Sequence, residues 1–179
     1  MILEISEEYT VDDTSYLGVS SHAPPSLTRS GLNYGFFDYD HLGPWSRDRV
    51  EEIATRRQGI AIRSSPEGMH LIIPRAYDHI GLMELYGDLI RSGSPYPCPL
   101  NFANGWRKLE WVLRISDKDG FFPKLVVMTE GAAKTPIGQF YNAICDPREA
   151  VELAAFRQKI RLVEYRRGKV VSVMDRLEV

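Results

Sequence analysis

The sequence predicts an α+β protein with a split βαβ core of the ferredoxin or RRM type, flanked by an N-terminal lead-in and a C-terminal helix plus β-hairpin. Three observations predict it. Residues 34–115 spell strand, helix, strand, strand, helix, strand, which is the split βαβ order. The second of those helices carries Leu82, Leu85, Tyr86, Leu89 and Ile90 on one stripe, a 3.6-residue period. The strands are short apolar runs such as Phe36-Phe37, Ile60-Ala61-Ile62 and Leu71-Ile72-Ile73, bounded by polar or turn-forming residues.

Taken in order, the first thirty residues read as an irregular lead-in, broken at Ala23-Pro24-Pro25-Ser26. Tyr34 to Asp38 reads as a buried strand. Ser46 to Arg57 reads as a helix with Val50, Ile53 and Ala54 on one face, Ser46 as its N-cap and Gly59 after its end. Ile60–Arg63 is a short strand, Ser64–Gly68 a turn, and Met69–Ile73 the next strand before Pro74. Asp78 caps the second helix, which Gly93-Ser94-Pro95-Tyr96-Pro97 stops. Leu109–Ile115 is the last core strand, and Phe121–Met128 is expected to return from it as a hairpin across Asp117-Lys118-Asp119-Gly120. In the tail, Asp146-Pro147-Arg148-Glu149 is a helix start, and Arg161–Tyr165 with Val170–Met174 flank a closing hairpin turn. The division expected is one domain over 1–179: an extension at 1–33, the core at 34–129, and a C-terminal helix and hairpin at 130–179.

The composition is that of an ordinary globular chain, 44% hydrophobic and 26% charged. No segment approaches a membrane span, and Met1-Ile2-Leu3-Glu4-Ile5 lacks a basic n-region, so a cytoplasmic protein without a membrane partner is expected. Cys98 and Cys145 suit a reducing compartment, match no metal spacing and read as packing residues. The net charge of −2 conceals five acids and no base within residues 1–13, which leaves the remainder mildly basic.

Chemistry gathers at two stretches. Phe36-Phe37-Asp38-Tyr39-Asp40 ends in acids at i, i+2, which along a strand share a face and suit one divalent cation, Mg²⁺ or Mn²⁺. Tyr39, between them, should point into the core or the helices. The turn Ser64-Ser65-Pro66-Glu67-Gly68 can present hydroxyls and backbone N–H groups to a triphosphate, and His70 can donate to the same phosphates. In a split βαβ core the first and third strands are antiparallel neighbours, with both helices on one face of the sheet. Asp38 and Asp40 at the end of one and His70 at the start of the other then lie about 4.8 Å apart. Carboxylates, a histidine and a small-residue turn in one place suit metal-assisted phosphoryl transfer. Each signal also has a plain structural reading: Asp40 suits a cap of the turn at His41–Pro44, and His70 a satisfied strand residue.

These residues resemble a known family. Phe37-Asp38-Tyr39-Asp40, followed about thirty residues later by a Ser-rich turn, Gly68, Met69, His70 and an apolar strand, look like motifs I and II of the archaeo-eukaryotic primase superfamily. They are similar also to the polymerase domain of bacterial non-homologous end-joining ligases. The resemblance covers residues 34–120. It implies Asp38 and Asp40 as metal ligands, Ser64, Ser65, His70 and Arg114 as nucleotide contacts, and Leu113-Arg114 as the downstream pair of the third motif. A third metal acid is expected near Asn101 or Asn104, where none stands; Asp117 or Glu110 would have to serve. What it implies is a metal-dependent nucleotidyltransferase of primase or polymerase type acting in DNA replication or repair. Its partners would be a nucleoside triphosphate, a DNA or RNA template and a helicase or large subunit. The alternatives are a catalytically silent relative that binds nucleic acid or nucleotide, and a ferredoxin-like protein-interaction domain.

Other constellations lead nowhere. Gly131-Ala132-Ala133-Lys134-Thr135 lacks the glycines of a P-loop and reads as a flexible loop, and His22, His41 and His79 lack zinc-like partners. Arg56-Arg57, Arg107-Lys108 and Arg166-Arg167-Lys169 read as helix ends and a hairpin tip, and Trp106 and Trp111 as core before base-stacking platforms.

Overall fold

The computed structural model describes residues 16–22, 32–115, 120–145, 160–166 and 169–174. The chain runs β1 (Tyr16–Ser20), β2 (Asn33–Tyr39), α1 (Pro44–Arg56), β3 (Ile60–Arg63), β4 (Met69–Tyr77) and α2 (His79–Arg91). It continues through α3 (Pro99–Lys108), β5 (Val112–Arg114), β6 (Lys124–Met128), α4 (Glu130–Ala133), α5 (Pro136–Ile144), β7 (Leu162–Arg166) and β8 (Lys169–Met174). Two antiparallel four-stranded sheets result, ordered β2-β4-β3-β6 and β5-β1-β7-β8. The α+β class and the split βαβ core hold: β2 and β4, the first and third core strands, are antiparallel neighbours, and Asp38 stands directly opposite His70.

The first sheet is buried on both faces, which is why its strands are apolar runs and not clean alternations. Phe37, Tyr39, Leu71 and Ile73 pack on one face against Val50 and Ile53 of α1 and Leu85 and Leu89 of α2. Phe36, Ile60, Ile62 and Ile72 pack on the other against Val19, Leu113 and the Ile137, Phe140 and Tyr141 face of α5. Asp38, one residue on from Phe37 and two from Phe36, therefore leaves β2 on the face turned toward the second sheet. Tyr39 goes the other way, as expected: it is fully buried, and its hydroxyl lies 2.9 Å from Ser94 Oγ.

Several local expectations differ from the structure. The expected fourth core strand shrinks to Val112–Arg114 and leaves the core sheet, pairing with Gly18–Ser20 of β1. Residues 99–108 form α3 instead. Pro99 occupies its first turn, and Phe102 and Trp106, one turn apart, stack toward Tyr86 at 4.3 Å and Trp111 at 6.2 Å. Gly105 is required where α3 meets Trp111, because a Cβ there would lie 2.2 Å from the indole. The hairpin expected between Leu109–Ile115 and Phe121–Met128 does not form; β6 pairs with β3 at the far edge of the core sheet.

The lead-in is not wholly irregular, since β1 is held between β5 and β7. α1 begins two residues earlier than expected, with Gly43 as N-cap and Pro44 in its first turn, so Ser46 lies inside the helix. β4 continues through Pro74 to Tyr77, and a register shift between Tyr34 and Gly35 accommodates it beyond the point where β3 stops. Residues 130–135 are not a flexible loop: Thr129 caps α4 through Ala132 N–H, and Thr135 caps α5 through Gly138 N–H. Asp78 caps α2 as expected, accepting from Gly81 N–H at 2.8 Å, and the β7–β8 hairpin forms as expected. The helix expected from Asp146 lies outside the described residues, as does Asp117.

Candidate functional site

Asp38 is the centre of the site. Its Oδ1 lies 3.4 Å from His70 Nε2, and its Oδ2 accepts from Asn101 Nδ2 at 3.2 Å. The same Asn101 amide reaches Val112 O at 3.4 Å, so α3 ties β2 to β5 across the gap between the two sheets. The Asp38 carbonyl accepts from Cys98 N–H at 2.6 Å, which fixes the start of α3 against the end of β2. His70 is almost completely enclosed, with 4% of its side chain exposed against 21% for Asp38. Its Nδ1 is buried without a hydrogen-bond partner among the described residues. His70 thus backs the Asp38 carboxylate, and Asp38 is the group that solvent reaches.

Asp40 lies one residue past the strand and is exposed. Cys98 connects it to Asp38. Burial raises the Cys98 thiol pKa, the Asn101 backbone N–H opposes that rise, and the Asp40 and Asp38 carboxylates add to it. Both acids therefore act on one thiol. Reading Cys98 as a packing residue missed this. Pro99, which fixes the first turn of α3, was the available signal that Cys98 stands at a helix start.

The turn Ser64–Gly68 is held from three directions. Arg47 Nη1 and Arg63 Nη2 both donate to Pro66 O, at 2.8 and 2.9 Å, and Arg114 Nη2 donates to Ser64 O at 3.0 Å. Leu42 N–H donates to Glu67 O at 2.7 Å, which joins the turn to the segment after Asp40. Ser64 is buried and Ser65 half-buried, and both hydroxyls fold inward over Gly68. Arg47 and Arg63 carry positive charge to this corner that sequence reading did not assign. Lys124, opposite Arg63 in the β3–β6 register, adds to it. No short motif links residues 47, 63, 114 and 124; the fold alone collects them.

Of the candidates for a third acid, Asp117 lies outside the described residues and Glu110 is engaged elsewhere. Glu110 accepts from Ser20 Oγ at 2.5 Å and lies 3.4 Å from Arg161 Nε, committed to the second sheet. Among the described residues no three of His, Cys, Asp and Glu are placed to hold a metal ion. Asp38 and Asp40 are the carboxylates present that could take part in holding a divalent cation. Mg²⁺ is commonly held by one or two carboxylates together with water and substrate phosphates, and not by a complete protein cage.

Trp111 is 4% exposed and belongs to the core, and half-buried Trp106 packs against it. Arg56 and Arg107 sit in the last turns of α1 and α3, as helix ends. Among the described residues no helix is long and apolar enough to cross a membrane. No protein-family model, no curated protein and no solved structure matches the chain.

Proposed function

We propose that the corner where Asp38 meets the Ser64–Gly68 turn binds a nucleoside triphosphate, and that the chain is a metal-dependent nucleotidyltransferase of primase or polymerase type. The observation that carries this reading is the pairing of Asp38 on the edge strand β2 with His70 on its neighbour β4, beside a turn gripped by Arg47, Arg63 and Arg114. An acid that can hold a cation and a cluster of guanidinium groups that can hold phosphates occupy one corner, the arrangement phosphoryl transfer needs.

In this reading Asp38 and Asp40 hold Mg²⁺ or Mn²⁺. What the bound ion supplies is neutralisation of phosphate charge and a lower pKa for the attacking 3′-hydroxyl. His70 and Asn101 are positioning residues: one bears on each carboxylate oxygen of Asp38 and restricts its rotation. Arg114 and the Ser64–Gly68 turn orient the triphosphate, and Arg63 and Lys124 raise the local positive potential. A DNA or RNA strand would supply the hydroxyl, and a helicase or large subunit would hold the template.

A second reading, a silent relative that binds nucleotide or nucleic acid without turnover, is favoured by Asn101 occupying a position beside Asp38 where an acid would complete the metal site. Titration calorimetry with a non-hydrolysable dNTP analogue and Mn²⁺ separates the readings. Binding that EDTA abolishes, and that Asp38→Asn/Asp40→Asn loses, supports the enzyme. Binding that is indifferent to EDTA supports the silent module. No binding to wild type rejects the enzyme and the nucleotide-binding module; a DNA titration in EDTA then tests the nucleic-acid-binding module, and its failure moves the search to protein partners.

A further inference from the structure

At the end of β4 remote from His70, Arg75 and Tyr77 border a cavity of about 540 Å³. Arg57, just after α1, lines it too, together with Asp78, Glu84 and Asp88. Sites for small molecules typically measure about 300–1,000 Å³. Measured along β4 at about 3.3 Å per residue, the cavity lies roughly 20 Å from His70, so it is a site separate from the Asp38 corner.

Two of its three acids are already engaged. Asp78 Oδ1 accepts from Gly81 N–H at 2.8 Å, and Asp88 Oδ1 accepts from Arg91 Nη2 at 2.5 Å. Arg57 Nη1 forms a long ion pair with Asp88 Oδ2 at 4.0 Å, without a hydrogen bond, and Arg75 sits 6.0 Å over the Tyr77 ring. Burial raises the Tyr77 pKa while Arg75 and Arg57 pull it down, so both guanidinium groups act on the one phenol. Two arginines and a phenolic O–H form a donor set suited to phosphate oxygens. A phosphate alone would fill a small part of the space. Glu84, which makes no hydrogen bond or ion pair among the described residues, leaves an acceptor for the N–H or O–H groups of a larger ligand.

We propose that this cavity binds a small organic phosphate of nucleoside-monophosphate size, its phosphate on Arg57, Arg75 and Tyr77 and its remaining donors on Glu84. The test is titration calorimetry of the full chain with AMP and, separately, with inorganic phosphate. Wild type, Arg75→Gln, Tyr77→Phe and Asp38→Asn are compared after thermal melts establish that each is folded. Arg75 is exposed and lies over the Tyr77 ring, so Arg75→Gln should fold; Tyr77→Phe, which keeps the ring, serves in its place if it does not. The expected result is one equivalent of AMP bound more tightly than phosphate. Arg75→Gln should weaken it about tenfold or more, and Asp38→Asn should leave it unchanged. Absence of AMP binding overturns the proposal, as does phosphate binding as tight as that of AMP. Loss in Asp38→Asn with retention in Arg75→Gln assigns the binding to the Asp38 corner and overturns it as well.

Discussion

Gly68→Ala probes the turn beside the candidate site with a sign that the structure fixes in advance. Gly68 is not among the glycines with positive φ, so its backbone is open to alanine. On conformational entropy alone the substitution would stabilise the protein by about 0.4–1 kcal/mol. Space decides otherwise. A Cβ at this position would stand 2.6 Å from Ser65 Oγ, 2.9 Å from Ser64 Oγ and 3.2 Å from the Tyr39 carbonyl. Arg47, Arg63 and Arg114 hold the turn by its carbonyls, Ser64 is buried, and the Tyr39 carbonyl belongs to β2, so relief requires both serine hydroxyls to turn away and the strand to give. Overpacking of this kind costs about 1–3 kcal/mol, which exceeds the entropic gain. Gly68→Ala should therefore lose about 1–2 kcal/mol net, seen as a lower urea midpoint with an unchanged slope, and should weaken Mn²⁺-dependent dNTP binding. Gly43→Ser is the control: Gly43 has no atom within 4 Å of its would-be Cβ and caps α1 without a side-chain bond, so serine should gain a few tenths of a kcal/mol. A Gly68→Ala protein more stable than wild type would show that the turn is not packed as described. A destabilised one that binds dNTP undiminished would show that the phosphates do not sit there.

Two further outcomes test the electrostatics. The Cys98 thiol, held up by burial and by Asp40 and Asp38, should react with iodoacetamide more slowly than a free cysteine, and faster in Asp40→Asn; an unchanged rate in that variant would separate the thiol from the acid. Burial pushes the Cys145 thiol up to about 11, so the folded state holds that proton more tightly than the unfolded chain, whose value is near 9.0. That contribution is complete below pH 9 and lost as the pH rises toward 11, about 2–3 kcal/mol in all. Urea midpoints across this window should fall more steeply for wild type than for Cys145→Ser, and equal slopes would refute the assignment.

The parts of the fold readable in the sequence are those where local chemistry and tertiary packing agree. Phe36-Phe37, Ile60-Ala61-Ile62 and Leu71-Ile72-Ile73 could be nothing but buried strands, and the stripe of α2 with its Asp78 cap could only be a helix. The adjacency of Asp38 and His70 followed from strand order. What failed to show were elements whose identity depends on distant partners. β1 is five residues that make a strand because β5 and β7 lie on either side. Residues 112–114 leave the core sheet because α3 consumes the chain before them, and α3 is secured by aromatic contacts to Tyr86 and Trp111.

The site divides in the same way. By itself the sequence determined that Asp38 lies near the end of one core strand and that a histidine opens its neighbour, because a split βαβ order makes the two strands adjacent; that β2 becomes an edge strand and ends before Asp40 was decided by the fold. Only the tertiary structure decided what surrounds them. Asn101 and Cys98 come from a helix start some sixty residues away, Arg47 and Arg63 converge on one carbonyl from a helix and a strand, and Arg114 arrives from the other sheet. Those placements depend on where rigid elements end relative to one another, and that is set by how two sheets pack, which no local spacing encodes.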